Sequence, residues 1–191
     1  EETTQPGTIV YKLGGIDLNK IDRKLYNEAY KEAVAKGDFE EHFLYRGLMA
    51  ELSTASVNQK RSAAANHITG ADSSTSETHT IANINGRKGV LNLLKLIKKL
   101  PGGENAYIDR LCAETAVRET YRIDGEHIIS EEEYVSGKVF DDALAYSFYP
   151  IDVHSKKGVK PEHLKEGIVP TIPLRALIPK NSQNFLVAGR C

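Results

Sequence analysis

With 191 residues, 40% of them hydrophobic and 27% charged, the chain can bury a proper core in one domain or one and a half. A net charge of −1 offers no basic field for nucleic acid or an anionic membrane surface, and no apolar run approaches the roughly 20 residues of a membrane span. Cys112 and Cys191 fit neither a metal spacing nor a disulfide framework, and Glu1–Gly7 lacks the basic start and apolar core of a leader, so reducing, cytoplasmic surroundings are the default expectation.

Thr8–Leu13 reads as a strand stopped by Gly14-Gly15. A helix follows Ile16, with Asp17 or Asn19 as N-cap, the stripe Ile21, Leu25, Ala29 and Ala33, and Gly37 at C′. Residues 39–52 fit either two meander strands or a second short helix; Gly47 and the Ser53-Thr54 break favour strands. The stretch ending in His67-Ile-Thr-Gly70 reads as a strand entering a turn. Ser74-x-x-Glu77 matches a capping box for the longest element, a helix over 78–100 with the stripe Ile81, Ile84, Leu91, Leu94 and Ile97. Gly86 and Gly89 interrupt it at about 1 kcal/mol each relative to alanine, so they either admit a close neighbour or mark a kink. Lys95, Lys98 and Lys99 suit the helix dipole, and Pro101-Gly102-Gly103 ends the element.

Residues 106–113 form a strand or a short helical turn, and a strand is expected over 116–123. Asp124-Gly125 is a hairpin signal with 126–129 as the return strand. Ser130-x-x-Glu133 caps a short helix through Val135, stopped by Gly137. Residues 139–149 are strand-rich and 150–166 read as a loop. Three prolines restrict 170–179 to edge-strand or extended geometry. No repeat or low-complexity tract is present. The expected class is α+β: an antiparallel or mixed sheet packed with two main helices.

The strand over 116–123 sends Arg118, Thr120 and Arg122 to one side. Two guanidiniums on one face with no acid between them call for an anionic partner. That partner is a substrate carboxylate in one reading and a local Glu114 or Glu126 in the other. The two arginines lie about 13 Å apart along an extended chain, so only inward-reaching side chains could share one anion. After the turn Phe148-Tyr149-Pro150, Asp152 and His154 form an Asp-x-His pair. A histidine can move a proton near neutral pH, and Asp152 could orient it. The competing reading is a loop histidine beside Ser155-Lys-Lys. Tyr146 and Tyr149 either line a pocket or fill a core. His67, His79 and His127 sit on separate elements with no paired spacing, which speaks against zinc. Cys112 reads as a small buried hydrophobe. Glu131-Glu132-Glu133 reads as a helix start rather than the carboxylate pair of a polysaccharide hydrolase.

Several segments taken in order resemble a known family. Gln5-Pro-Gly-Thr-Ile-Val-Tyr-Lys-Leu-Gly-Gly-Ile-Asp17 is similar to the opening of the middle domain in FAD-dependent oxidoreductases of the two-domain, glutathione-reductase-like plan. Gly70-Ala-Asp72, Asn85-Gly-Arg87, Leu100-Pro-Gly-Gly-Glu-Asn-Ala106, Val117–Ile123 and Phe185-Leu-Val-Ala-Gly-Arg190 follow in that family's order. The similarity covers most of the chain, with 38–60 the poorest match. Such enzymes hold the FAD pyrophosphate with a strand–Gly-x-Gly-x-x-Gly–helix unit, and no such fingerprint occurs in these residues.

The resemblance therefore implies a substrate-binding (cap) domain over 1–183, and over 184–191 the start of a strand returning to an FAD-binding domain outside this sequence. It implies FAD in the full-length protein, not held by this piece, and a small organic substrate dehydrogenated or reduced there. His154 is the expected catalytic group, with Arg118, Arg122, Tyr149 and Asp152 on substrate; Arg118, Arg122 and His154 should face a common surface. Gly189 and Arg190 would meet the cofactor only in the full-length enzyme. No metal, nucleic-acid or membrane partner is expected. The alternative is a free-standing, non-catalytic ligand- or partner-binding module.

Overall fold

The computed structural model describes residues 4–44, 47–52, 64–155, 158–159 and 161–189. The chain divides into two compact units, Glu1–Arg118 with His154–Gly158, and Glu119–Val153 with Val159–Cys191. The class is α+β, as the sequence indicates.

The first unit is built on strand β1, Gly7–Gly14, which lies between β2, Ala64–Ile68, and β3, Tyr107–Leu111, in an antiparallel sheet. Alternation along β1 sends Ile9, Tyr11 and Leu13 to one face, where each is at most 1% exposed. Helix α3, Ser76–Ile97, buries Ala82, Gly86, Val90, Leu93 and Ile97. Of the stripe expected from hydropathy, Ile97 is buried and Leu94 packs half-buried against the core. Ile81, Ile84 and Leu91 are about half exposed, at 50%, 57% and 48%. In its first half the helix turns the small residues Ala82 and Gly86 inward, where Ile9 and Thr115 come too close to Gly86 for a larger side chain. A Cβ at Gly86 would lie 2.6 Å from Thr115 Oγ1 and 3.2 Å from Ile9 Cδ1, and one at Gly89 would enter the Phe43 ring. Both glycines are there for close packing.

The cap of α3 also falls one residue later than expected. Ser74 is taken by Asp72, whose carboxylate accepts from Ser74 N (2.9 Å) and Oγ (2.7 Å); these bonds hold the Asp72 carboxyl below its ordinary range. Thr75 instead accepts from Thr78 N at 3.1 Å, and Thr78 Oγ1 accepts from Thr75 N at 3.2 Å. Thr75→Ala is expected to destabilise the first unit by about 1 kcal/mol, read as a lower midpoint in chemical denaturation. Ser74→Ala should cost less, and the reverse order would contradict this cap.

Helix α1, Arg23–Ala35, starts at Asp22, which accepts from Lys24 N and Leu25 N; Asp17 caps only a preceding 3-10 turn, Leu18–Lys20. Gly37, at φ +78°, closes the helix as expected. The buried side is Tyr26 and Ala33, while Leu25 is 39% exposed. Tyr26 donates to Pro101 O at 2.9 Å, and burial, with Glu104 nearby, pushes its hydroxyl up to about 12. The expected strands over 39–52 are instead a 3-10 turn, Glu41–Leu44, and helix α2, Leu48–Glu51. Phe43, stacked on Phe39 with centroids 5.6 Å apart, fills the notch at Gly89, a contact that a meander strand would not set.

The expected strand over 116–123 does not form. Ala116 makes one bridge to Thr8, with both backbone bonds at 2.8 Å, and no ladder follows. The reason is geometric: β1 begins at Gly7, so an antiparallel neighbour that passes Thr8 soon has nothing left to pair with. Two-residue strand β5, His154–Ser155, returns the chain to this unit, and β6, Gly158–Val159, leads away.

In the second unit, β4, Ala143–Tyr146, pairs antiparallel with β7, Thr171–Pro173. Asp124-Gly125 is not a hairpin turn. Glu126 N donates to Ile178 O and Lys180 N to Asp124 O, so 124–126 pairs with 178–180 rather than with 127–129. Phe185–Ala188, expected as a strand, is not one; Val187 N donates to Leu177 O at 2.9 Å. Helix α4, Glu131–Val135, carries the expected Ser130–Glu133 capping box and acidic first turn. Glu133 also accepts from Lys138 Nζ at 2.6 Å and lies 2.9 Å from His127 Nε2. Phe140, 5% exposed, packs under Lys138, Arg175 and His127.

The Lys138 bond, then the Ser130 amide, then His127, lower the Glu133 carboxyl to about 2 from an ordinary 4.5. A depressed carboxyl contributes stability that is complete above its unfolded value and lost as pH falls through its folded one. The second unit should therefore loosen in acid between about pH 4.5 and 2, seen by NMR as loss of dispersion around Phe140. Glu133→Gln should flatten that dependence; an unchanged acid profile would contradict it.

Candidate functional site

Thr8 of β1 and His67 of β2 are register partners, so their side chains share one face of the sheet. By alternation it is the face opposite Ile9, Tyr11 and Leu13. Thr8 is 8% exposed and His67 1%. Arg118 reaches back to this pair, its Nη2 donating to Thr8 Oγ1 at 2.9 Å. From β5, His154 Nδ1 lies 2.8 Å from His67 Nε2, with the rings edge to face at 4.8 Å between centroids. His154 is 8% exposed, and its backbone N–H donates to Gln5 Oε1 at 3.0 Å, just before β1. One cross-strand pair thus gathers a guanidinium, a hydroxyl and two imidazoles.

The N···N separation requires one proton between the rings, with a donor on one nitrogen and a lone pair on the other. Such a pair can take or release a proton. A guanidinium on the same face can meet an anion. His67 is also among the residues lining a cavity of about 360 Å³, whose wall includes Phe39, Phe43, Lys88 and Asn92.

Of the residues expected to form the site, Arg118 and His154 meet on this face. Arg122, Tyr149 and Asp152 belong to the second unit: Arg122 is exposed, Tyr149 is 67% exposed with its carbonyl accepting from Tyr134 Oη, and Asp152 is half-buried. The two arginines are therefore not companions on one strand. Glu114, one of the local partners considered for them, lies 3.7 Å from His79 Nε2. Gly189 adopts φ +111°, while Arg190 lies outside the described residues. Cys112 is exposed rather than buried. Tyr146 is 68% exposed and belongs to no core.

His67 is the residue that sequence reasoning passed over. Its signal was the polar pair Asn66-His67 inside a short apolar strand, where Asn66 accepts from Tyr11 Oη at 3.3 Å and both residues are buried. Buried polar side chains on a strand need partners from elsewhere in the fold, and spacing along the sequence does not reveal them. Among the described residues, no cluster of three or more histidine, cysteine or acidic side chains could hold a metal ion, and no helix is long and apolar enough to cross a membrane.

An α+β fold with a buried proton-carrying pair beside a guanidinium suits an enzyme or a small-ligand binder. The model of the FAD dependent oxidoreductase family matches residues 1–191, and the chain belongs to that family. No curated protein and no solved structure matches it.

The described residues do not themselves fit the FAD pyrophosphate. The one strand–Gly-Gly–helix passage, β1 to α1, is already filled. A Cβ at Gly15 would collide with Asn105 O, one at Gly102 would lie 2.6 Å from Asp17 O, and the N-terminus of α1 is closed by the Asp22 carboxylate. A pyrophosphate cradle needs open amides and no resident anion.

Proposed function

We propose that these residues are the substrate-side part of an FAD-dependent oxidoreductase, with the FAD-holding residues in another domain of the same protein. A small organic substrate is dehydrogenated or reduced there. His154 handles its proton and Arg118 its anionic group. The observation that carries this reading is the meeting of Arg118 and His154, distant in sequence, through the Thr8–His67 pair. It is supported by a family match that spans the whole chain. The test is visible absorbance. The natural protein, purified or incubated with FAD, should carry bound flavin that anaerobic substrate bleaches; a protein that never takes up flavin would end this reading.

A further inference from the structure

We propose that the cavity of about 360 Å³ in the first unit, which α3 shares with the segment after α1, is a binding site for a small neutral polyol ring of hexose or cyclitol size. Its volume falls within the roughly 300–1,000 Å³ of small-ligand sites. The cavity would take this ligand whether or not Arg118 and His154 act on a substrate.

Asn85, Lys88, Gly89 and Asn92 recur at i, i+3, i+4 and i+7, so they form one face of α3, and all four line the cavity. Gly89 is the recess in that face: it admits the Phe43 ring, which stacks on Phe39. Asn92 Nδ2 donates to Asp38 O at 3.2 Å and ties the segment after α1 to the helix. Asn85 and Lys88 remain along the rim, both exposed, and neither side chain has a hydrogen bond or ion pair among the described residues. On the wall that follows β2, Thr69 has its Oγ1 buried without a hydrogen-bond partner. A buried hydroxyl left unpaired is costly, and a ligand hydroxyl would satisfy it.

Charge narrows the class of ligand. Asp38 and Glu40 stand on the wall with Lys88, so an anion would gain no net attraction there. The aromatic rings narrow it further. Phe39 and Phe43 are each 6% exposed, so they offer the cavity a strip of C–H edge and no open face on which a flat aromatic ring could stack. What remains is a mixed set of donors and acceptors: the Asn85 amide and the Thr69 hydroxyl can do both, Lys88 donates and the Asp38 carboxylate accepts. A ring with hydroxyls around its rim and C–H groups on its faces complements that set, because each hydroxyl also donates and accepts.

¹H–¹⁵N NMR of the natural protein, titrated with glucose and with myo-inositol and, for comparison, with benzoate and benzylamine, tests the site. Glucose or myo-inositol should shift the Thr69 amide and the side-chain amides of Asn85 and Asn92 along one saturable curve; benzoate and benzylamine should not. Asn85→Leu and Lys88→Met should each weaken binding about tenfold, as one lost hydrogen bond would. Both residues are exposed on α3, so circular dichroism should show the fold kept. Thr69→Val should weaken binding while raising the urea midpoint of the ligand-free protein, since it removes an unpaired hydroxyl. Should Thr69→Val fail to fold, the wild-type titrations and the two rim variants still decide. No saturable shift with either polyol, a stronger response to benzoate or benzylamine, or binding indifferent to Asn85→Leu and Lys88→Met would overturn the proposal.

Discussion

Replacing His154 with glutamine is expected to lower kcat of the flavin-loaded protein by about 10²- to 10⁴-fold, the span that general acid–base groups contribute. Glutamine can keep a hydrogen bond to His67, so the buried site stays filled and hydrogen-bonded while proton transfer is lost. KM should change little, because the lost interaction belongs to the transition state rather than to substrate binding. Circular dichroism should show an intact fold. The pH profile is the sharper readout: the limb of kcat/KM set by an imidazole should vanish in the variant. A variant that keeps both wild-type turnover and the wild-type profile would show His154 to be structural.

The second large effect concerns folding. Gly15→Ala should cost about 2–5 kcal/mol, the sum of a left-handed backbone and a collision. Gly15 sits at φ +72°, where a side chain costs about 1–2 kcal/mol, and its Cβ would enter Asn105 O, a backbone atom that cannot swing aside. Gly37 supplies the control. It has a similar φ of +78° but nothing within 4 Å of its would-be Cβ, so Gly37→Ala should pay only the backbone cost. Urea midpoints of the two variants separate the contributions. Equal losses would show that the Gly14-Gly15 turn is not wedged against the strand that follows Asn105.

What was legible in the sequence was what depends on neighbours along the chain. The alternation of β1, the existence of α1 and α3, the Gly37 stop and the Ser130–Glu133 capping box all follow from local chemistry. So did the family, through an ordered set of short motifs. What failed depends on partners far away. The apolar stripe of α3 held at Ile97 and misled at Ile81, Ile84 and Leu91, because the position set against Ile9 is Gly86, which has no side chain for such a stripe to register. Arg118 and Arg122 looked like one feature because strand geometry was extended past the point where β1 ends. Pairing of 124–126 with 178–180 overrode a good local turn signal.

The site was half legible for the same reason. Arg118 stood out as a cation that calls for an anionic partner, and His154 as a histidine after a fixed turn. Their common ground, Thr8 and His67, is a cross-strand register pair, and register is set by which residues can be buried together rather than by any motif. A histidine in a five-residue strand gives no sign that a second histidine will arrive from a segment 87 positions later.

In the proposed function, Arg118 and His154 act on one substrate from one face. The most direct measurement is a double-mutant cycle on anaerobic flavin reduction, with Arg118→Ala, His154→Gln and the pair. If both groups work on one bound substrate, each single variant slows reduction strongly and the double variant is far less impaired than the product of the two single effects. Single effects that simply multiply, or an Arg118→Ala protein that reduces its flavin at the wild-type rate, would contradict it.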